Sequence, residues 1–352
     1  MIKQKNNVLQ YKLLKEEYDE VLNDIMASGY DTNGPYTEKV QETMKKITGR
    51  KHVLMSISGT SAIEASVIAL DLFDKKTAVG SYNYSACVKP FKAQSNPVFV
   101  DCDENFLIDV DRIPEDCDAV MLVNYFGNVI DYDKVASNFK GKVIADCSQS
   151  FGALYKNKFD GYYGDVSIFA FGGQKPIGTR GFAGAVATDD DVLAENLECI
   201  LNQGRSKENK NLPYKIMGLR GTPQELQMGL IHVGMKYFEQ WQARRKQMAE
   251  YIMSGIQNLP LRIIKANEHC DSSYYKLVVE IHDRDKFIAH MRACGVDAQV
   301  TYIDDWNTIW GTGETMPMTT RLARTTASLP LSPNFTDAEI DKIRDSVRQF
   351  YR

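Results

Sequence analysis

The chain has 352 residues, enough for one large α/β domain and a smaller companion, and its 43% hydrophobic and 25% charged content is that of a globular protein rather than a disordered one. A net charge of -4 and a pI near 5.8 lack the basic footprint that nucleic-acid binding needs. The start, "MIKQKNNVLQ", has no apolar core before a small-residue cleavage site, and no later run approaches membrane-spanning length, so a cytosolic protein with no membrane partner is expected.

In chain order, an amphipathic segment is expected around Lys15–Ala27, then an Asn-Gly-Pro turn and a helix from near Thr37. A strand at His52–Ser58 runs directly into "GTSAIEASVIALDLF", whose apolar positions recur every three and four residues. Further strands are expected at Thr77–Tyr82, Pro97–Asp101, Ala119–Tyr125, Val143–Asp146, Asp165–Phe171 and Gly181–Thr188, with helices at Ser85–Ala93 and Asp131–Asn138. This alternation predicts an α/β fold: a mostly parallel sheet covered by helices on both faces, with ligand at the carboxyl ends of its strands.

From Pro223 a long helical stretch is expected through Ile256. Strands near Arg262–Lys265 and Ser273–His282 follow, with helices at Lys286–Cys294 and Asp337–Tyr351. We therefore expect a large domain over residues 1–240 and a smaller C-terminal α+β domain over 241–352. The seven cysteines stand singly and the five histidines are dispersed, so neither a disulfide framework nor a metal site is expected.

Four features fall where ligands are expected. In "SISGTSA", Ser58, Gly59 and Thr60 occupy a strand-to-helix junction, where free amides and hydroxyls make an anion site, or where a hydroxyl caps the helix. Asp146 ends an apolar strand in "VIADCSQSFGA". A buried carboxylate there needs a partner, and either a protonated pyridine nitrogen or a helix start supplies one. Gln149 is placed to reach the edge of the same ring. Tyr84, in "SYNYSACV", can stack on a flat cofactor or pack in the core. Lys175, after the Gly-Gly turn of "SIFAFGGQKPIG", is either a solvated surface lysine or a Schiff-base nucleophile held in a pocket. Phosphate cradle, acid, aromatic and lysine, in that order, are what pyridoxal phosphate requires.

The chain resembles the DegT/StrS-type sugar aminotransferases of the aspartate aminotransferase fold. The resemblance runs through "SGYDTNGPYTEKV", "SGTSAIEASVIAL", "NPVFVDCDENFLID", "VIADCSQSFGALYKNKFDGYYGDVSIFAF", "GFAGAVATDD", "PQELQMGL", "GVDAQVTY" and "SLPLSPNFTDAEIDKI". It implies pyridoxal 5'-phosphate as cofactor, Lys175 as the Schiff-base lysine, Asp146 as partner of the ring nitrogen with Gln149 beside it, Ser58-Gly59-Thr60 as the phosphate site and Tyr84 as the stacking ring. It further implies transfer of an amino group from an amino acid, taken as glutamate, to a nucleotide-linked keto sugar, in a homodimer with shared active sites. Tyr30, Asp31, Thr32, Arg180 and Tyr302 lie in blocks that face substrate in that family.

Three residues depart from the pattern. Ala170 stands where a phosphate-binding serine is common, Gln203 where a histidine is usual, and Arg220 where an asparagine reaches the neighbouring subunit's cofactor phosphate. A guanidinium at Arg220 would replace the missing contact with a charged, forked one. Two other readings stay open on the same scaffold: a sugar dehydratase, whose members have histidine at the lysine position, and a non-catalytic regulatory relative, marked by loss of the lysine or the acid.

Overall fold

A computed structural model describes residues 1–173, 175–206, 216–301, 305–310 and 313–352. Helices α1 (Asn7–Leu13), α2 (Lys15–Ser28) and α3 (Pro35–Thr48) lead into strand β1 (His52–Ser56) and helix α4 (Gly59–Ala69). There follow β2 (Lys76–Gly80), α5 (Lys89–Gln94), β3 (Asn96–Val100), β4 (Ala119–Val123), α6 (Tyr132–Asn138) and β5 (Lys142–Asp146). Two short strands, β6 (Leu154–Tyr155) and β7 (Lys158–Phe159), precede β8 (Val166–Ala170), β9 (Gly184–Thr188) and α7 (Asp191–Leu201).

These strands form a seven-stranded sheet in the order β1-β9-β8-β5-β4-β2-β3. The pairs from β3 across to β8 are all parallel, and β9 runs antiparallel to both of its neighbours. Both faces are covered, as expected. All five residues of β4 are buried, and they alternate between two cores: Val120 and Leu122 belong to one, Ala119, Met121 and Val123 to the other. On the first face lie α2 and α3 with helix α8 (Glu225–Lys236), through Val21, Val40 and Ile231; on the second lie α4 and α7, through Ile63, Leu197 and Ile200.

The stretch expected as one helix from Pro223 is two, because α8 ends at Tyr237 (φ -104°, ψ 3°) and α9 (Phe238–Ile256) begins immediately after it. The Tyr237 hydroxyl donates to Glu17 and its ring stacks on Trp241 at 5.7 Å, which ties the break to the N-terminal helices. The expected helix at Ser85–Ala93 is likewise interrupted. A single 3-10 turn covers Ser85–Cys87, and α5 restarts with Pro90 in its first turn, the one place in a helix where a residue without an amide is tolerated.

Much of the rest of the chain builds a further core, while Trp306, Met316, Leu322 and Ala323 pack against the large sheet. Strands β10 (Arg262–Ile263), β11 (Cys270–Asp271) and β12 (Leu277–Glu280) are followed by α10 (Arg284–Ala293), β13 (Gln299–Val300), α11 (Trp306–Trp310), α12 (Pro317–Thr325), β14 (Thr326–Leu329) and α13 (Asp337–Phe350). Four of the strands make an antiparallel sheet, β10-β12-β14-β13. Its core joins Leu277 and Leu329 to Ile252 of α9, Phe287 of α10 and Ile343 of α13. Helix α9 links the two cores, with Trp241 in the first sheet's core and Met248 onward in the small one. Strand β11 pairs with β6, a further tie between them.

Candidate active site

Parallel strands end at the same edge of a sheet, so residues that follow β1, β2, β5 and β8 are brought together although the chain separates them widely. Ser58, Gly59, Thr60, Tyr84, Asp146, Gln149 and Lys175 all line one cavity of about 400 Å³. Glycine is required at the rim. A Cβ at Gly59 would lie 2.8 Å from the Ala170 Cβ, and one at Gly184 would lie 2.4 Å from the Ser58 carbonyl carbon. The start of α4 is thereby pressed onto the ends of β8 and β9.

Helix capping is what the Ser58 hydroxyl does: it accepts the Ser61 amide at 3.0 Å, and the Ser61 hydroxyl returns the contact to the Ser58 amide at 3.1 Å. The Gly59 and Thr60 amides open the helix, with no carbonyl four residues back to accept them. What this junction offers an anion is therefore two amides and the Thr60 hydroxyl at the positive end of α4. Ala170 adds no hydroxyl to it.

Asp146 is buried at the end of β5. Its Oδ1 accepts the Ser148 amide at 2.8 Å and its Oδ2 faces the Cys87 thiol at 2.9 Å. This is a turn, not a helix cap. Among the described residues Asp146 makes no direct ion pair; the Ser148 amide and the Cys87 thiol are neutral donors, and Lys175 is the cation it acts on at longer range. Gln149 is buried three residues on. Tyr84 is 51% exposed and thus no core residue, which leaves its ring at the cavity.

Lys175 follows a turn closed by its own amide on the Gly172 carbonyl at 2.9 Å. It is half-buried, and its Nζ stands 5.3 Å from the centre of the Tyr275 ring. Burial lowers its pKa, while Asp146 and Cys87 act in the opposite sense. The neutral amine is therefore more accessible than in a surface lysine, as a carbonyl-directed nucleophile needs.

Among the lining residues not anticipated from sequence are Phe182, Tyr275 and Lys276. Tyr275 and Lys276 precede β12 and enter from the core of the small sheet, about a hundred residues after Lys175. Burial, followed by the charge of Lys175, lowers the Lys276 pKa to about 8. The tyrosine pair and the basic residue in "SSYYKL" are visible in the sequence, but nothing local points them at this cavity.

The remaining sequence candidates lie outside the cavity lining of the single chain. Tyr30, Asp31 and Thr32 form an exposed loop anchored to the start of α8, where the Asp31 carbonyl accepts the Glu225 amide at 2.9 Å. Arg180 is exposed and donates to the Asn7 carbonyl. Arg220 is exposed and bridges Asn202, while Gln203 takes a positive φ of 62° beside it. Tyr302 falls outside the described residues.

The groups in the cavity suit pyridoxal phosphate: helix-start amides for a phosphate, a buried carboxylate with no direct ion pair among the described residues for a ring nitrogen, and a lysine with a weakened charge for an aldehyde.

Over residues 12–348 the chain matches the model of the DegT/DnrJ/EryC1/StrS aminotransferase family. It is 25% identical over 355 residues to the dTDP-3-amino-3,6-dideoxy-alpha-D-galactopyranose transaminase of Aneurinibacillus thermoaerophilus, with 96% of each chain covered. DesV from S. venezuelae, solved in complex with a ketimine intermediate, superposes with a TM-score of 0.93 at 24% identity, covering 100% of this chain and 98% of that one. NtdA from Bacillus subtilis, with the cofactor PMP bound, gives 0.88 at 23% identity over 98% and 82%. At such identities the structures speak for the fold; the match along nearly the entire sequence makes this protein a member of the DegT/DnrJ/EryC1/StrS aminotransferase family.

Proposed function

We propose that the protein transfers an amino group from an amino acid, taken as glutamate, to the carbonyl of a nucleotide-linked keto sugar, with pyridoxal phosphate as cofactor. The observation that carries this reading is that Lys175, Asp146 and the first turn of α4 share one cavity. When bound, the cofactor supplies an electron sink beside the carbon that gains or loses a proton. The Gly59 and Thr60 amides hold its phosphate, Asp146 keeps a proton on its ring nitrogen through opposite charge, and Tyr84 covers its face. Lys175 would hold the group at its aldehyde carbon, and its amine would move a proton at the substrate carbon.

The presence of both Lys175 and Asp146 favours transfer over a dehydratase or a non-catalytic relative. The sugar assignment draws support from the transaminase of Aneurinibacillus thermoaerophilus, whose name gives a dTDP-linked amino sugar. We further propose a homodimer in which Arg220 reaches the partner's cofactor phosphate and Tyr30, Asp31, Thr32, Arg180 and Tyr302 face the sugar. The exposure of Arg220 and Tyr30 in the single chain supports a role across an interface. Residues 1–240 and 241–352 are proposed as the two domains; the core formed by Ile252, Leu277, Phe287, Leu329 and Ile343 supports the division. Among the described residues no helix is long and apolar enough to cross a membrane, in keeping with the proposed cytosolic location.

The test is to load the purified protein with pyridoxal phosphate, record its visible spectrum, add L-glutamate, and then offer dTDP-, UDP- and GDP-linked keto sugars. Loss of the visible band with glutamate and its return with one of the sugars is expected. A protein that binds the cofactor but leaves every donor unchanged would overturn the reading.

A further inference from the structure

Beside the cofactor cavity lies a second, smaller chamber of about 30 Å³, and the two share Lys175, Tyr275 and Lys276 as lining. Its charged lining is wholly cationic: Lys5, Lys175, Arg245 and Lys276, with no carboxylate among the described lining residues. Arg245 is 3% exposed, and its Nε has no hydrogen-bond partner; Nη2 donates to the Gln242 amide oxygen at 3.2 Å. Lys5 donates to the Lys175 carbonyl at 2.8 Å, which fixes its ammonium in the same space.

A buried guanidinium without a counter-charge is costly, and three lysines around it deepen the imbalance. The protonation behaviour shows the strain. Burial, then Arg245 and Arg180, pushes the Lys5 pKa down to about 7, and burial pushes that of Arg245 down to about 10. Lys175 is countered in part by Asp146, and Lys276 by Asp297, neither of which lines the chamber. One bound anion would relieve all four cations together.

Size narrows the choice. At roughly 10–15 Å³ per water-sized probe, the chamber holds about two such spheres, enough for a carboxylate group and too little for a sugar or a phosphate ester. Because its wall includes Lys175, a ligand engaged at that lysine has only a short reach to enter. We infer that this chamber is the subsite for a carboxylate of the amino donor, held by Arg245, Lys5 and Lys276. The inference rests on the aminotransferase reading above.

Glutarate, which has the glutamate skeleton without the amino group, tests it by calorimetry on the cofactor-loaded protein. The parent should bind glutarate. Lys5→Gln and Arg245→Gln should each weaken it about tenfold or more, the loss expected for one charge-assisted contact, and Arg245→Lys should recover part of it. Lys5 lies near the chain start outside both cores, so Lys5→Gln keeps the test decisive if the buried arginine variant does not fold. In the same variants the glutamate concentration giving half-maximal loss of the visible band should rise by a similar factor. Parent-like glutarate affinity in Lys5→Gln overturns the inference, as does chloride or acetate binding as tightly as glutarate, which makes the chamber a general ion site. If instead glutarate binding is lost in the variants but glutamate never reacts in the parent, the aminotransferase reading fails and the donor assignment with it, a pattern distinct from the other two.

Discussion

The Sγ of Cys87 lies 2.9 Å from Oδ2 of Asp146, so a thiol, not a cation, faces the outer oxygen of the acid that ends β5. Burial, then Asp146 itself, raises the Cys87 pKa well above the ordinary thiol value, which keeps it a proton donor. This contact and the Ser148 amide on Oδ1 together orient the carboxylate.

Asp146→Asn keeps the shape and removes that charge. The variant should still take up pyridoxal phosphate, but turnover should fall about a thousandfold, or ~4 kcal/mol at about 1.36 kcal/mol per decade. Steady-state rates at saturating donor check this. A near-parent rate would reduce Asp146 to a turn-forming residue.

Two lysines line the cavity, and the proposal depends on which one bonds the cofactor. Borohydride reduction of the loaded protein should fix the cofactor on the peptide carrying Lys175, read by mass spectrometry. Label on Lys276 instead would overturn the assignment. Lys175→Ala should lose turnover while still retaining cofactor non-covalently.

Arg220→Ala should weaken cofactor retention about tenfold if the guanidinium contacts the partner's phosphate, as one charge-assisted contact predicts. Protomers carrying Lys175→Ala, inactive alone, should regain activity when exchanged with Arg220→Ala protomers, because one site of the mixed dimer then carries neither lesion. Parent-like retention in the Arg220→Ala homodimer, or full activity in a monomer, speaks against sharing.

Glu225 is fully buried and caps a helix that is not its own. Its carboxylate accepts the Gly34 amide at 2.9 Å, the Thr37 amide at 3.2 Å and the Thr37 hydroxyl at 2.7 Å, with the Tyr36 amide as a further donor. The start of α8 is thus joined to the start of α3, next to the Tyr30–Thr32 loop. Glu225→Ala strands several buried donors and should destabilise the fold by about 3 kcal/mol, measured by urea unfolding. A loss under about 1 kcal/mol would show that water replaces these contacts.

Asp160, wholly buried behind the Asp146–Gln149 turn, accepts from the Ser150 hydroxyl, and burial raises its pKa from 3.8 to about 8. Between those values the folded state binds a proton that the unfolded state has released, so this residue's contribution falls as pH rises from about 4 to about 8. The stability difference between the protein and Asp160→Asn should therefore move in favour of Asn across that range. Urea midpoints at pH 5 and pH 8 measure it. A difference that does not change with pH means that Asp160 titrates as an ordinary carboxylate.

The elements that line the cavity were legible in the sequence because each belongs to a local signal. Asp146 and Lys175 follow apolar strands, and Ser58-Gly59-Thr60 joins a strand to a helix whose periodicity is plain. The helix α7 carries a local signal too, with Asp190 as its cap and apolar residues at 193, 197 and 200. Strand β14 had no such signal, since all four of its residues are buried at the interior of the small sheet and the alternation of a half-exposed strand is absent. The reversal of β9, the break at Tyr237, the capture of α3 by Glu225 and the arrival of Tyr275, Lys276 and Arg245 beside Lys175 were decided only by the tertiary structure. Each of these depends on partners dozens to hundreds of residues apart, and a periodicity that tells which face of an element is buried does not tell what buries it.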